Sequence, residues 1–461
     1  MTETMNHWLD SLLGKKILVL GLGVSNIPLV HLLLEHGCDV TGCDAAPREK
    51  LDANVLALEQ SGCKLKLGEH YLEGLEGDIV FRTPGLHPDR PEIKALRESG
   101  AEITSEMEAF FRVCPCPIIA VTGSDGKTTT TTLISELLKK AGKRVWLGGN
   151  IGTPLLRQAC HMLPDDVAVV ELSSFQLMYF RYSAHISVIT NLAPNHLDIH
   201  KDMDEYVHAK ENIYLHQGKD DVLILNMDNA ITHSFVDKAP GKCLEFSRKG
   251  VPGQGVFLQD GVIYQMENGV QTAILRQEDI LLPGIHNVEN YMAAICAVQG
   301  MVSTDDIRAV ATTFGGVEHR IELVRVKDGV RYYNDSIASS PSRTMAGLRS
   351  FPEKVILIAG GYDKKIPYDC LGPEICKHVK LLILNGATAA KIFNAVIAAP
   401  EYQEGQPEIL ILDNFTKAVH TAAERAEPGD TVILSPASAA FDQFKNFMER
   451  GRFFKELVNA L

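Results

Sequence analysis

The chain has 461 residues, 45% of them hydrophobic and 22% charged, with a formal net charge of −13. That length and composition predict a globular protein of about three domains. The negative charge argues against nucleic acid or an anionic membrane as main partner but leaves room for anionic small molecules held by local cations and helix N-termini. No apolar run is long enough to span a membrane and no basic-then-apolar leader opens the chain. Together with ten scattered cysteines, of which only Cys114-Pro115-Cys116 forms a close pair, this predicts reduced thiols and a cytoplasmic location without membrane insertion.

The first predicted strand, at 17–20, runs into Gly21-Leu22-Gly23-Val24-Ser25-Asn26, and leucines from Leu29 to Leu34 then mark a helix. Asp44 ends the next strand, at 39–43. This is most of a dinucleotide fingerprint, with Asn26 where a third glycine would stand. It predicts a nucleotide or nucleotide-sugar held by the loop and Asp44; a tight turn without ligand is the alternative. Strands and helices alternate to Arg112, and Pro115 and Pro117 break the chain there.

A buried strand at 118–121 then enters Thr122-Gly123-Ser124-Asp125-Gly126-Lys127-Thr128, and helical spacing follows from Thr129 through Leu133, Ile134, Leu137 and Leu138. The glycines allow backbone N–H groups to wrap a phosphate chain, Lys127 can reach the terminal phosphates, and the Thr128 hydroxyl can bind Mg²⁺. Val121 stands where the longer G-x-x-x-x-G-K-[ST] loop has its first glycine. An ATP site is predicted.

Glu171 interrupts the apolar strand at 167–172, where a carboxylate is costly unless it meets a cation; beside a phosphate loop that cation would be Mg²⁺. The next strand, at 186–191, leads to His196, Asp198 and His200. Their spacing invites a zinc reading, but no Cys or Glu completes the set. His196 is placed to approach the ATP metal, and Asp198 and His200 read as capping or surface residues. Lys210, in a helical stretch with Tyr206, Val207, Ile213 and Tyr214, can face His196. Asp260-Gly261 and Asn268-Gly269 predict hairpins and a small β-sheet. After Gly315-Gly316 a third α/β domain begins, its strand at 355–359 ending in Gly360-Gly361. The fold class is therefore α/β in three domains. A Rossmann-like domain spans 1–112, a central P-loop ATPase domain with a small β-sheet spans 113–316, and a second Rossmann-like domain spans 317–461.

Several motifs in order make the whole chain resemble the Mur ligases, ATP-dependent enzymes that add an amino acid to a UDP-muramoyl precursor. They are the phosphate loop, Gly149-Asn150-Ile151-Gly152, Glu171-Leu172-Ser173-Ser174-Phe175-Gln176-Leu177, Asn195-His196-Leu197-Asp198 with Lys210, His286-Asn287-Val288-Glu289-Asn290, Glu318-His319-Arg320 and Asn334-Asp335-Ser336. The short first domain, Gly360-Gly361-Tyr362-Asp363-Lys364, and Leu434-Ser435-Pro436-Ala437 with Phe441-Asp442-Gln443-Phe444 resemble the branch that joins D-glutamate to UDP-N-acetylmuramoyl-L-alanine.

The resemblance implies roles. Gly123 to Thr129 and Lys127 would hold ATP; Thr128, Glu171, His196 and a carbamylated Lys210 would serve two Mg²⁺ sites; Asn150 and His196 would flank the reacting carboxylate. Asn287 and Asn290 would hold the adenine region, and Arg320 and Asp335 would close over phosphates and ribose. Val24, Ser25 and Asp44 would take the uridine end, and Thr83, Pro84 and Gly85 the diphosphate. Lys364, Ser339 and Phe447 would receive D-glutamate. The implied chemistry is an acyl phosphate attacked by the amino group, in the cytoplasm of a cell making peptidoglycan and so serving cell shape and division, by a protein expected to be a monomer.

The chain departs from the family at Asp125, where Asn is usual; at Ile337-Ala338-Ser339, where Lys-Ala-Thr is common, with Arg343 two turns on as a substitute charge; and at Ala440, where a serine is common and Ser438 lies nearby. The rival readings are a ligase of the same architecture with another amino acid or acceptor, a nicotinamide-dependent dehydrogenase using Gly21 to Asp44, and a non-catalytic nucleotide-binding regulator.

Overall fold

The computed structural model describes residues 2–196 and 199–461; Leu197 and Asp198 lie outside them, and with them the reading of Asp198. The chain divides into two compact units, one formed by 1–279 and 288–310, the other by 280–287 and 311–461. The first carries two sheets and the second carries one. Among the described residues no helix is long and apolar enough to cross a membrane.

The first sheet is all parallel, in the order Lys64–Leu67, Asp39–Asp44, Lys16–Leu20, Ile79–Arg82, Glu102–Thr104. Its central strand shows why both faces are covered: Ile17 and Val19 join one apolar cluster, while Leu18 and Leu20 join another. The chain order reverses between Lys16–Leu20 and Ile79–Arg82, so the loops after these two neighbours flank the crevice where ligands of such sheets bind.

The second sheet has nine strands. The phosphate-loop strand Ile118–Thr122 is wholly buried and lies between Val167–Glu171 and Ile186–Ile189. The hairpins at Asp260-Gly261 and Asn268-Gly269 form as predicted, all four residues having positive φ. They do not make a separate small sheet, however. Gly255–Gln259 pairs in parallel with Lys242–Ser247, so Gly255–Gln259, Val262–Glu267 and Val270–Arg276 extend the central sheet at one edge. Alternation marks a hairpin but not which edge it joins.

The third sheet runs Glu322–Lys327, Val330–Asn334, Thr431–Leu434, Val355–Ala359, Val379–Leu384, Glu408–Ile411, with only the first strand antiparallel. Its two faces are filled by separate apolar clusters, Leu357 and Ile433 on one side and Ile356 and Val432 on the other.

Candidate active site

The phosphate loop leaves the sheet at Thr122 and becomes helix Lys127–Lys140. Gly123 has φ 149°, and a Cβ there would lie 1.9 Å from Thr190 Oγ1, so only glycine fits. The predicted strand at 186–191 stops at Ile189 because the next two residues turn their polar groups to the loop. Thr190 Oγ1 donates to Asp125 O at 2.6 Å, Asp125 N donates to Asn191 Oδ1 at 3.0 Å, and Ser124 N donates to Asn191 O at 2.8 Å. Ser124 Oγ is 2.9 Å from Tyr206 Oη. Lys127 folds over the loop, donating to Gly123 O at 2.8 Å and Ser124 O at 2.9 Å. Thr128 is buried, Thr129 half-buried and Asp125 exposed. Thr190, Asn191 and Tyr206 were not legible as site residues; the one sequence signal is a Thr-Asn pair closing an apolar strand.

Glu171 closes the neighbouring strand and is 1% exposed. Its Oε1 accepts from Asn150 Nδ2 at 2.8 Å, and Asn150 N donates to Glu171 O at 2.8 Å. Its Oε2 is buried with no hydrogen-bond partner. A carboxylate oxygen held this way beside a phosphate loop fits a divalent cation, the partner that would offset its desolvation.

Lys210 lies in helix Met203–Glu211, which ends before Ile213. Read alone it would be an exposed helix lysine; it is 1% exposed. Its Nζ donates to Gly123 O at 2.9 Å and Thr122 Oγ1 at 3.0 Å and sits 5.0 Å from the Tyr206 ring centroid. Burial holds the amine well below the ordinary lysine value; the charge of Lys127 adds to this, and Glu171 and Asp125 oppose it.

His196 is exposed, with φ 56°, and its ring meets Phe175 at 5.1 Å and 64°. His200 is a correction to the surface reading. It is 2% exposed, stacks on Phe175 at 5.2 Å, and its Nε2 is 2.9 Å from Ser174 Oγ. The Phe175 ring stacks on it and the Tyr206 ring meets it edge-on, and burial lowers its pKa against the opposing charge of Glu205. Among the described residues no three His, Cys, Asp or Glu side chains converge as a metal cage. Glu171 and Thr128 can offer a cation their oxygens, and His196 and Lys210 are the further candidates. Asn290 is buried beside the loop, its Oδ1 3.3 Å from Thr130 Oγ1.

In the first sheet Gly21 has φ 86°, and a Cβ there would lie 2.6 Å from Thr83 Cγ2, so the two candidate loops touch across the crevice. Asp44 binds the loop itself: Oδ2 accepts from Leu22 N at 2.8 Å and Oδ1 from Ala46 N at 2.9 Å. Asn26, in the missing glycine's place, donates to Gly21 O at 2.7 Å. Val24 is 79% exposed, Ser25 and Thr83 and Pro84 are half-buried, and Gly85 is exposed.

In the second unit Asn287 Nδ2 donates to Pro283 O at 2.7 Å. Asp335 is buried, accepts from Ser435 Oγ at 2.7 Å and from Ile321 N at 3.3 Å, and is pushed up to about 7 by burial. Arg320 is half-buried and its charge favours the ionised Asp335. Ser339 and Phe447 are half-buried and Lys364 is exposed. Their three loops are joined through Arg450, which the sequence did not single out. Arg450 is 2% exposed; its guanidinium donates to Ser336 O at 2.9 Å, to Ser336 Oγ at 3.0 Å, and to Ser438 O and Ala439 O at 3.1 Å each. Ser336 Oγ donates to Phe447 O at 2.8 Å, and Tyr362 N donates to Ala439 O at 2.9 Å. Arg343 Nη1 donates to Ile337 O at 3.3 Å. Ala440 is buried, and Ser438 Oγ is 2.8 Å from both Tyr368 Oη and Thr388 Oγ1.

Residues 121–298 match the family description Mur ligase middle domain, and residues 319–438 match Mur ligase, glutamate ligase domain. The chain is 52% identical over 464 residues to a UDP-N-acetylmuramoylalanine--D-glutamate ligase of Acetivibrio thermocellus and 48% identical over 465 residues to one of Ruminiclostridium cellulolyticum, each alignment covering 100% of both chains. Among solved structures it is similar in fold to the UDP-N-acetylmuramate-alanine ligase of Thermotoga maritima, with a TM-score of 0.57 at 17% identity, covering 97% of this chain and 99% of the other.

Proposed function

Since the chain belongs to the Mur ligase family, we propose that it forms the amide bond between UDP-N-acetylmuramoyl-L-alanine and D-glutamate, using ATP, in peptidoglycan precursor synthesis. The observation that carries the reading is the pairing of Glu171 Oε2, buried without a partner, with a phosphate loop whose lysine already lies over its carbonyls.

The L-alanyl carboxylate attacks the γ-phosphorus of ATP, the bond to the β-phosphate oxygen breaks, and ADP leaves. The D-glutamate nitrogen then attacks the acyl carbon of the acyl phosphate, the tetrahedral intermediate expels inorganic phosphate, and the nitrogen loses its proton. Loop N–H groups of 123–129 orient the phosphates, and Lys127, released from Gly123 O and Ser124 O, neutralises charge that moves towards the leaving oxygen. Asn150 fixes Glu171 and borders the reacting carboxylate together with His196. Mg²⁺, held by Thr128, Glu171, His196 and Lys210, would supply further charge neutralisation. Lys210 would join that set as a carbamate: its enclosed amine, held well below the ordinary lysine value by burial, would add carbon dioxide, lose a proton and become an anionic ligand.

Residues 1–112 take the precursor, with Val24, Ser25 and Asp44 at the uridine end and Thr83, Pro84 and Gly85 at the diphosphate. Residues 113–316 take ATP, with Asn287 and Asn290 at the adenine. Residues 317–461 take D-glutamate at Ser339, Lys364 and Phe447, and bring Arg320 and Asp335 to the nucleotide. The protein acts as a monomer in the cytoplasm.

The test is phosphate release from MgATP with UDP-N-acetylmuramoyl-L-alanine and, in turn, D-glutamate, L-glutamate and a diamino acid. Release with D-glutamate alone is expected. Release with a different amino acid would overturn the amino-acid assignment at Ser339 and Ile337, and silence with all of them would overturn the acceptor assignment.

A further inference from the structure

Arg82 closes the strand Ile79–Arg82 and is 5% exposed. Burying a cation is costly unless it is paired, yet among the described residues its guanidinium makes no ion pair and binds three carbonyls instead. Nη1 donates to Leu86 O at 3.2 Å; Nη2 donates to Met178 O at 2.8 Å and to Phe175 O at 3.2 Å.

These carbonyls belong to two different parts of the site. Leu86 ends the turn that begins at Thr83, its N–H donating to Thr83 O at 3.1 Å. Phe175 is the second residue of the one-turn helix Ser174–Leu177 and Met178 caps its C-terminal end, and both carbonyls accept from Arg82. Only Leu172 and the N-cap Ser173 separate Glu171 from that helix, whose start is fixed by a capping box between Ser173 and Gln176. The Phe175 side chain then carries the contact onward, stacked on His200 and edge-on to His196. One guanidinium thus touches the turn at Thr83 and the segment whose ring packs against His196.

We propose that Arg82 is a positioning residue that locks the Thr83–Leu86 turn to Phe175 and through it to His196, so that binding of a UDP-linked acceptor at the turn and binding of a divalent cation near His196 strengthen each other. The proposal rests on the function read above, and the coupling it describes is reciprocal by thermodynamic necessity. A merely structural arginine would change stability but not the linkage between two ligands.

The experiment titrates the full-length protein with Mn²⁺, followed by its paramagnetic resonance signal, in the presence of a non-hydrolysable ATP analogue, with and without UDP-N-acetylmuramoyl-L-alanine. In the unmodified protein the acceptor should tighten Mn²⁺ binding about fivefold or more. Arg82→Met should abolish that ratio, and Arg82→Lys, whose ammonium can still reach carbonyls, should retain part of it. Phe175→Leu keeps Arg82 and its three carbonyl partners, removes only the ring contacts, and should lose the ratio with a melting temperature near the unmodified value; it carries the test if Arg82→Met fails to fold. An unmodified protein with no linkage, or linkage intact in Arg82→Met or Phe175→Leu, would overturn the proposal. A protein that binds Mn²⁺ and the nucleotide but not the acceptor would overturn the reading of function, and this proposal with it.

Discussion

At the scale of single residues the site is a contest between burial and charge. Glu171 and Lys210 are both 1% exposed, and among the described residues neither carries a salt bridge. Each is held by neutral groups, Glu171 by an amide and Lys210 by a hydroxyl and a carbonyl. That arrangement disfavours a charged lysine and leaves one carboxylate oxygen for a cation. Glu171→Gln and Lys127→Ala should each lower acceptor-dependent phosphate release by about a hundredfold or more, the usual cost of removing a charge-stabilising group. Their circular dichroism should match the unmodified protein; release within a fewfold of normal would remove both from the chemistry. Lys210 should carry a carbamate: isotope-labelled carbon dioxide, trapped by chemical alkylation and located by peptide mass spectrometry, should mark Lys210, and labelling unchanged in Lys210→Ala would exclude it. The phosphate loop and Glu171 were legible because their meaning is local: a glycine loop between strand and helix, and one acid in an apolar strand. Lys210 was legible only through the resemblance, because what buries it is Thr122 and Gly123, nearly ninety residues earlier in sequence, and helical spacing carries no trace of such a contact.

At the scale of elements, loops are fixed by groups from outside them. The helix Glu106–Val113 buries Glu106, which accepts from Leu156 N at 3.0 Å and is pushed up to about 7 by burial. Between the ordinary carboxylate value and about 7 the folded chain therefore holds a proton that the unfolded chain has released. The stability this group contributes is full in acid and is lost as pH rises through about 7. Glu106→Gln should flatten the fall in unfolding free energy between acid and pH 8 by roughly 3 kcal/mol, read from urea titrations at both pH values. An unchanged slope would mean that Glu106 ionises in place. Arg450 is the corresponding device in the second unit: Arg450→Met leaves carbonyls at Ser336, Ser438 and Ala439 without their donor and should cost about 2–4 kcal/mol. It should also raise KM for D-glutamate more than KM for ATP; equal effects on both would detach Arg450 from the amino-acid loops. Sequence reasoning missed Arg450 because its last-helix spacing reads as a polar face, and it missed that the hairpins near Asp260 and Asn268 continue the central sheet because pairing partners are set by distant strands. Where the period of hydrophobic residues decides, as in Lys16–Leu20 or Val355–Ala359, the strands appear where the pattern puts them.

At the scale of the whole molecule, three sheets present loops at strand ends, and the candidate ligand groups sit at the last residue of a strand, as Asp44 and Glu171 do, on the loops beside the strands, or on helices between them. That distribution suits a reaction with three substrates, each held by a sheet of its own kind, and it explains why no one motif in the chain identifies the activity while their order does. The nicotinamide reading accounts for Gly21 and Asp44 but gives no use to Glu171, whose buried oxygen has no partner. In the reaction proposed here the acceptor carboxylate is phosphorylated before the amide forms. The most direct measurement uses UDP-N-acetylmuramoyl-L-alanine with a heavy-oxygen label in that carboxylate, incubated with MgATP and D-glutamate, followed by mass analysis of the phosphate released and of the muramoyl product. One labelled oxygen is expected in each phosphate released, and one labelled oxygen fewer in the amide product. Unlabelled phosphate, its fourth oxygen taken from water, with the label fully retained in the acceptor, would contradict it.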